Sequence, residues 1–245
     1  MIESAAETLS KPSGTSADCD RSTTVCRMKR SIPALVAAAL VAATLTTSTA
    51  SATPVRHPKP VVTCEFTPTP ENPAAKPVRI PSAKARAKGT VDVFFVTNYG
   101  PFVVRMDRAN APCGVHNFVH LVKSRFYDST QCFRLTNSAR LGVLQCGDIY
   151  RQEEGGPGYK FPDEVTGKET YPRGTVAYGN QGPGTNGSEF FVVHSFANIA
   201  PNYTVLGHVI AGMSTFDRMV AAGIADPDQD GPPVKPIRIY KVWSR

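Results

Sequence analysis

The stretch Asn180-Gln-Gly-Pro-Gly-Thr-Asn-Gly-Ser-Glu-Phe-Phe191 decides how this chain reads. Gly182, Pro183, Gly184 and Gly187 specify a turn-rich loop, and Glu189-Phe-Phe-Val-Val193 continues it as an apolar run of strand length. Pro183 interrupts the glycines and no helix pattern follows, so the loop is not built to cradle phosphate. The same holds for Gly155-Gly-Pro-Gly158. No GxGxxG after a strand, Walker lysine or GxSxG elbow occurs in the chain.

Outward from this loop, other polar residues sit in equally specific surroundings. Upstream lie Arg173-Gly-Thr-Val-Ala-Tyr-Gly-Asn180, Leu144-Gln-Cys-Gly-Asp148, Cys132-Phe-Arg-Leu135 and Phe126-Tyr-Asp128. Downstream lie Tyr203-Thr-Val-Leu-Gly207 and Gly212-Met213. Short apolar runs recur at 132–135, 141–145, 175–178, 189–193 and 204–210, with loops dense in Gly and Pro between them. Val91-Asp-Val-Phe-Phe-Val96 and Phe102-Val-Val-Arg-Met106, joined through Asn98-Tyr-Gly100, predict a hairpin.

Helical spacing of Val115, Phe118, Val119, Leu121 and Val122, with Pro112 suited to the first turn, predicts an amphipathic helix. A second follows over Met213 to Ala222, and the alternation from Ile237 to Trp243 predicts a closing strand. Many short strands and two helices suggest a β-barrel or sandwich capped by helices. His116 and His120 stand at i and i+4 on the first helix, but no carboxylate lies between them, so no metal site is expected there.

In order and spacing, these segments resemble the cyclophilin family of peptidyl-prolyl isomerases over about 150 residues, and they are similar to a branch of exported actinobacterial members. The resemblance implies a mainly β fold, an eight-stranded antiparallel barrel capped by two α-helices. It also implies cis/trans isomerisation of X-Pro bonds, without cofactor or metal, on proline-containing peptides and unfolded proteins. The reaction faces a torsional barrier of about 18–20 kcal/mol, because rotation breaks amide resonance. A donor aimed at the prolyl nitrogen lowers that barrier, since the lone pair becomes available only as the bond twists.

Arg134 matches the family's catalytic arginine, and its permanently charged fork suits this task. Phe191 matches the aromatic floor of the proline pocket. Gln145 and the backbone at Gly179 and Asn180 match positions that hold the substrate chain, while Val143, Glu189, Ile199 and Tyr203 complete the expected substrate-binding set. Several of these depart from the family pattern. Gly142 stands where many members carry a pocket phenylalanine, leaving Leu141 and Val143 to fill the wall, and Asn198-Ile199 replaces a tryptophan-leucine pair. Tyr203 stands in place of a groove histidine, and Gly179 in place of alanine. Glu189 replaces a glutamine: ionised glutamate only accepts hydrogen bonds, so facing Arg134 it would occupy some of that residue's donors, either reducing turnover or holding the guanidinium in place.

Residues ahead of the domain read differently. Met28-Lys29-Arg30, the charge-free apolar run from Ser31 to Leu45, and Ala50-Ser51-Ala52 have the order of a signal peptide over 28–52, with release expected after Ala52; an uncleaved anchor is the alternative. Residues 1–27 form a polar leader, with Met28 as an alternative start. Residues 53–89, rich in Pro, Ala, Lys and Arg, read as an extended spacer leading to the domain at 90–245, with Val61-Val-Thr-Cys-Glu-Phe66 able to pin itself through Cys64. From 53 to 90 there are seven Lys or Arg against Glu65 and Glu71, while 91–245 carries fifteen against fourteen, so most of the net +7 resides in the tail. No nucleic-acid role follows, and loose contact with the cell envelope is the weaker reading of the charge. Cys19 and Cys26 would leave with the leader. Cys64, Cys113, Cys132 and Cys146 imply disulfides in an exported, monomeric protein, with Cys132–Cys146 the first expected pair because it flanks a hairpin.

Overall fold

The computed structural model describes residues 60–150 and 154–245; the predicted signal segment lies outside them. In chain order the elements are β1 (Val61–Thr63), β2 (Thr67–Pro68), β3 (Lys84–Arg86), β4 (Thr90–Thr97), β5 (Gly100–Asp107), α1 (Pro112–Lys123), β6 (Thr130–Cys132) and β7 (Arg134–Thr136). They continue as β8 (Leu141–Cys146), β9 (Tyr159–Lys160), β10 (Tyr171–Pro172), β11 (Thr175–Tyr178), β12 (Phe190–Ala197), β13 (Val205–Ala211), α2 (Met213–Ala221), β14 (Asp230–Gly231) and β15 (Ile237–Ser244). The main sheet runs β14-β7-β8-β12-β11-β13-β5-β4-β15-β6, with β10 attached to β12 and every pairing antiparallel. β6, at one end of this path, and β7, next to its other end, are one strand interrupted at Phe133, so the path closes on itself through the chain. Counted that way, β6–β7, β8, β12, β11, β13, β5, β4 and β15 make the eight-stranded closed barrel expected from the sequence, which leaves no open edge along its main strands.

Alternation fixes what faces inward. Along β4, Val91, Val93 and Phe95 are buried, and Phe102, Val104 and Met106 oppose them from β5 across the two-residue Asn98-Tyr99 turn. On β8 and β12, Leu144, Cys146, Phe190 and Val192 point into the same core, while Val143, Phe191 and Val193 form a second cluster on the outer face. Helix α1 closes one end of the barrel with Val115, Phe118 and Leu121, all fully buried. Its N-terminus begins at Pro112 without a side-chain cap from Ala111. Glu164 supplies one from elsewhere in the fold, accepting from Cys113 N at 2.9 Å and Gly114 N at 2.8 Å. Burial nevertheless pushes the Glu164 carboxyl above its usual range, against the pull of those two amides.

The tail departs from the expected spacer. Residues 60–89 lie against the domain: β1 pairs with β3, β2 pairs with β9, and Cys64 is bonded to Cys113 at the start of α1. Tail carbonyls occupy the helix histidines, His116 bonding to Ser82 O at 2.8 Å and His120 to Arg79 O at 2.6 Å. Lys76 Nζ donates to Asp128 O at 2.5 Å, and the Phe66 ring packs on Tyr159 and Phe161. Proline-rich composition describes a chain that cannot fold alone, but anchored at a disulfide it follows a surface supplied by others. Replacing both Cys64 and Cys113 by serine is expected to lower the free energy of unfolding by about 2–4 kcal/mol, as for a closed loop of this size. Urea unfolding measures the loss, and limited proteolysis should find cleavage moved into 60–88; unchanged stability and protection would show that the other tail contacts suffice.

Candidate active site

Sheet register brings the three central residues into a row. Arg134 on β7 stands opposite Gln145 on β8, Gln145 stands opposite Phe191 on β12, and Phe191 stands opposite Ala177 on β11. Side chains paired across neighbouring strands lie about 5 Å apart, so the row is short enough for one small ligand to span. The Cys132–Cys146 disulfide, as expected, staples β6 to β8 immediately beside Arg134 and Gln145.

Every expected site residue is in the resulting pocket of about 170 Å³: Arg134, Val143, Gln145, Gly179, Asn180, Glu189, Phe191, Ile199 and Tyr203. Leu141 joins them and, with Val143, supplies the apolar wall that Gly142 lacks. A larger residue at 142 requires the Ser195 and His194 side chains to move, because its Cβ would overlap the Ser195 hydroxyl and lie 3.0 Å from His194. The Phe191 ring is held edge-to-face by Tyr203 at 5.6 Å and packs on Tyr171 at 6.0 Å. Tyr171 Oη donates to Tyr203 O at 3.1 Å and accepts from Tyr203 N at 3.0 Å, fixing that floor. Tyr171 was not singled out by sequence, its Tyr-Pro context giving no sign of a site.

The Asn180–Phe191 loop wraps around one carboxylate. Asp163 accepts from Asn180 Nδ2 at 3.1 Å and Asn186 Nδ2 at 2.8 Å through one oxygen, and from Gly184 N at 2.7 Å through the other. Asn180 Nδ2 also reaches Asn202 O, tying the loop to the segment that carries Tyr203. These side-chain ties hold a glycine-rich segment in one shape, so the backbone at Gly179 and Asn180 presents a fixed edge to the pocket.

The polar side holds a chain of four hydrogen-bonded side chains. Asp230, on β14, takes a forked bond from Arg134, with Nε and Nη2 each 2.7 Å from a carboxylate oxygen. Arg134 Nη1 donates to Gln145 Oε1 at 3.0 Å, and Gln145 Nε2 donates in turn to Glu189 Oε1. The partner expected for Glu189 is therefore corrected: it takes Gln145, while Arg134 takes Asp230, because the β7–β14 pairing seats that carboxylate on the guanidinium's open side. Asp230 holds Arg134 above its already high pKa, and Arg134 holds the Asp230 carboxyl below the usual range, each mainly through this forked bond. Of the five N–H donors of Arg134, three are engaged and two remain for a ligand.

Two departures that looked independent in the sequence are one feature. A Cβ at Gly179 would collide with the Glu189 side chain, at 2.7 Å from Cδ and 2.9 Å from Cγ. Glu189 is only 7% exposed, and the glycine makes the room in which its carboxylate lies. Sequence reasoning also missed Asp230, which lies 96 residues from its partner. The one available signal was a run of Asp226, Asp228 and Asp230 among prolines, which flags a shaped acidic loop without naming its cation.

Residues 92–243 match the model of the cyclophilin type peptidyl-prolyl cis-trans isomerase family. The chain is 40% identical over 193 residues to a protein of Mycobacterium leprae described as "probable peptidyl-prolyl cis-trans isomerase B", covering 73% of this chain and 65% of that one. It is 38% identical over 194 residues to the protein of the same description in Mycobacterium tuberculosis, covering 73% and 63%. The chain thus spans a little under two thirds of the length of these relatives. Among solved structures, a cyclophilin type peptidyl-prolyl cis-trans isomerase of Cryptosporidium parvum superposes with a TM-score of 0.55 at 24% identity, over 64% of this chain and 98% of that one. A second structure of that protein, in the presence of the dipeptide Ala-Pro, gives 0.54 at 24% identity, over 63% and 98%. With the fold, the row of Arg134, Gln145 and Phe191, and a family match over most of its folded part, this chain belongs to the cyclophilin-type peptidyl-prolyl cis-trans isomerase family.

Proposed function

We propose that this protein accelerates cis/trans isomerisation of X-Pro peptide bonds. The observation that carries the reading is an arginine held rigidly by Asp230, with two donors unspent, beside an apolar pocket floored by Phe191. Proline packs on Phe191, Val143, Leu141 and Ile199, while Gly179 and Asn180 steady the chain on either side. As the bond rotates, the prolyl nitrogen gains a lone pair that Arg134 meets, an interaction absent from both planar states. The dipeptide present with the Cryptosporidium protein suggests the smallest probe. In magnetisation-exchange NMR on an Ala-Pro peptide, catalytic amounts of the full chain should bring interconversion from the spontaneous tens to hundreds of seconds down to seconds or less. Binding without acceleration would instead support a proline-peptide-binding or holding module, a reading favoured by the three occupied donors of Arg134.

Clients would be unfolded, proline-containing proteins outside the cytoplasm, delivered by the 28–52 signal segment. Contact with an anionic envelope is supported by a groove where Lys84 and Arg86 of the tail meet Arg108, His116 and Lys123, with no acidic residue lining it. The crowding is visible at Arg108, whose pKa is lowered first by burial and then by Arg86.

A further inference from the structure

Gly179, Asn180 and Glu189 do not end at the proline pocket; the same three residues form part of the lining of a second cleft of about 260 Å³. Thr69, Glu71 and Asn72 line it as well, and these belong to the tail, ahead of the family match that begins at 92. The segment is held in place by backbone. β2 pairs with β9, Thr69 N donates to Gly158 O at 3.0 Å, Ala75 N donates to Gly156 O at 3.0 Å, and Asn72 N closes a turn on Thr69 O at 2.9 Å. Gly158, at φ +80°, has no room for a side chain, since a Cβ there would lie 2.7 Å from Ala74 N. The tail and the loop of the active site are thus two sides of one cleft, which shares Gly179, Asn180 and Glu189 with the proline pocket.

The chemistry of the cleft is one-sided. Glu71, Asp148 and Glu189 line it, against Lys160 as the one cation. Glu189 accepts from Gln145 and Asp148 is engaged, whereas Glu71 is exposed and makes no ion pair among the described residues. Ser188 also lines the cleft, and its hydroxyl, on a residue 1% exposed, has no hydrogen-bond partner among the described residues. An acceptor-rich cleft with an exposed, unpaired carboxylate at its rim suits a long side chain rich in donors.

We propose that the tail completes a specificity subsite, in which a lysine or arginine flanking the X-Pro bond enters this cleft and meets Glu71. The proposal rests on the proline pocket being the peptide site. Its test uses the full chain and fluorescently labelled Ala-Pro peptides with Lys, Ala or Glu placed two residues before or after the X-Pro pair, read by anisotropy. Binding does not require turnover, so the result stands apart from any assay of catalysis. At low salt the Lys peptide should bind about two- to fivefold tighter than the Glu peptide at one of the two positions, and 0.5 M salt should erase most of the difference. Glu71→Gln should abolish the preference and Glu71→Lys reverse it, with affinity for the Ala peptide unchanged in both. Equal binding of Lys and Glu peptides at both positions, or a preference that persists in the Glu71 variants, overturns the proposal. Failure of even the Ala-flanked peptide to bind overturns the proline-pocket reading, and this proposal with it.

Discussion

Arg134→Ala lowers kcat/KM for an X-Pro peptide by about 10²- to 10³-fold, the range seen when a donor aimed at a transition state is removed. Arg134 acts on a nitrogen that is a poor acceptor while the amide is planar, so its loss falls mainly on kcat and little on peptide affinity. Arg134→Lys should recover little of the rate, because an ammonium can neither fork onto Asp230 nor hold a second pair of donors over the pocket. Asp230→Ala tests the support separately: with both carboxylate bonds gone the guanidinium swings, and a loss of about tenfold is expected with Arg134 itself intact. None of these variants should unfold the protein, since the side chains of Arg134 and Asp230 are 27% and 40% exposed. Full activity in Arg134→Ala, by the same exchange measurement that detects the wild-type rate, would remove the isomerase mechanism. Full activity in Asp230→Ala would reduce the fork to a surface contact.

What the sequence made legible follows from how locally each feature is encoded. Strands β4 and β5 and both helices are written in periodicities of two and 3.6, and the structure places them within a residue or two of the expected bounds. Arg134, Gln145 and Phe191 were recognisable because each sits inside its own short motif; that they form a row is a consequence of strand register, which no single motif states. The pairing of Cys132 with Cys146 was legible for the same reason, the two lying on neighbouring strands of a short hairpin.

What was not legible depends on distant partners. Proline-rich composition marks 53–89 as a stretch without a core of its own, yet nothing in it says that His116 and His120 offer donors to Ser82 and Arg79. Those histidines carried no sign of this role because the surface they face is made by residues 34 and 41 positions earlier. Asp230, unmarked in the sequence, takes the place beside Arg134 that was considered for Glu189, for a similar reason. Which carboxylate reaches the guanidinium is decided by the seating of β14 on β7, and this turns Glu189 toward Gln145.

Glu189 and Gly179 therefore give the second large expectation. Glu189→Gln should raise kcat/KM by about three- to tenfold: the amide at 189 still accepts from Gln145, but a buried negative charge that repels substrate carbonyls and draws on Arg134 is gone. An unchanged or lower value would show that the carboxylate holds Gln145 usefully and does not restrain the site. The glycine supplies an independent reading of the same contact. Gly179→Ala puts a methyl into the space of Glu189 Cδ and Cγ, so the carboxylate must leave its bond to Gln145, with an expected loss of about 1–3 kcal/mol in urea unfolding. In a Glu189→Ala background the space is already empty, and Gly179→Ala should then be neutral or stabilising by about 0.4–1 kcal/mol through its effect on the unfolded chain. The difference between the two backgrounds measures the coupling of the pair. An equal cost of Gly179→Ala in both would mean that backbone, and not the carboxylate, requires glycine at that position.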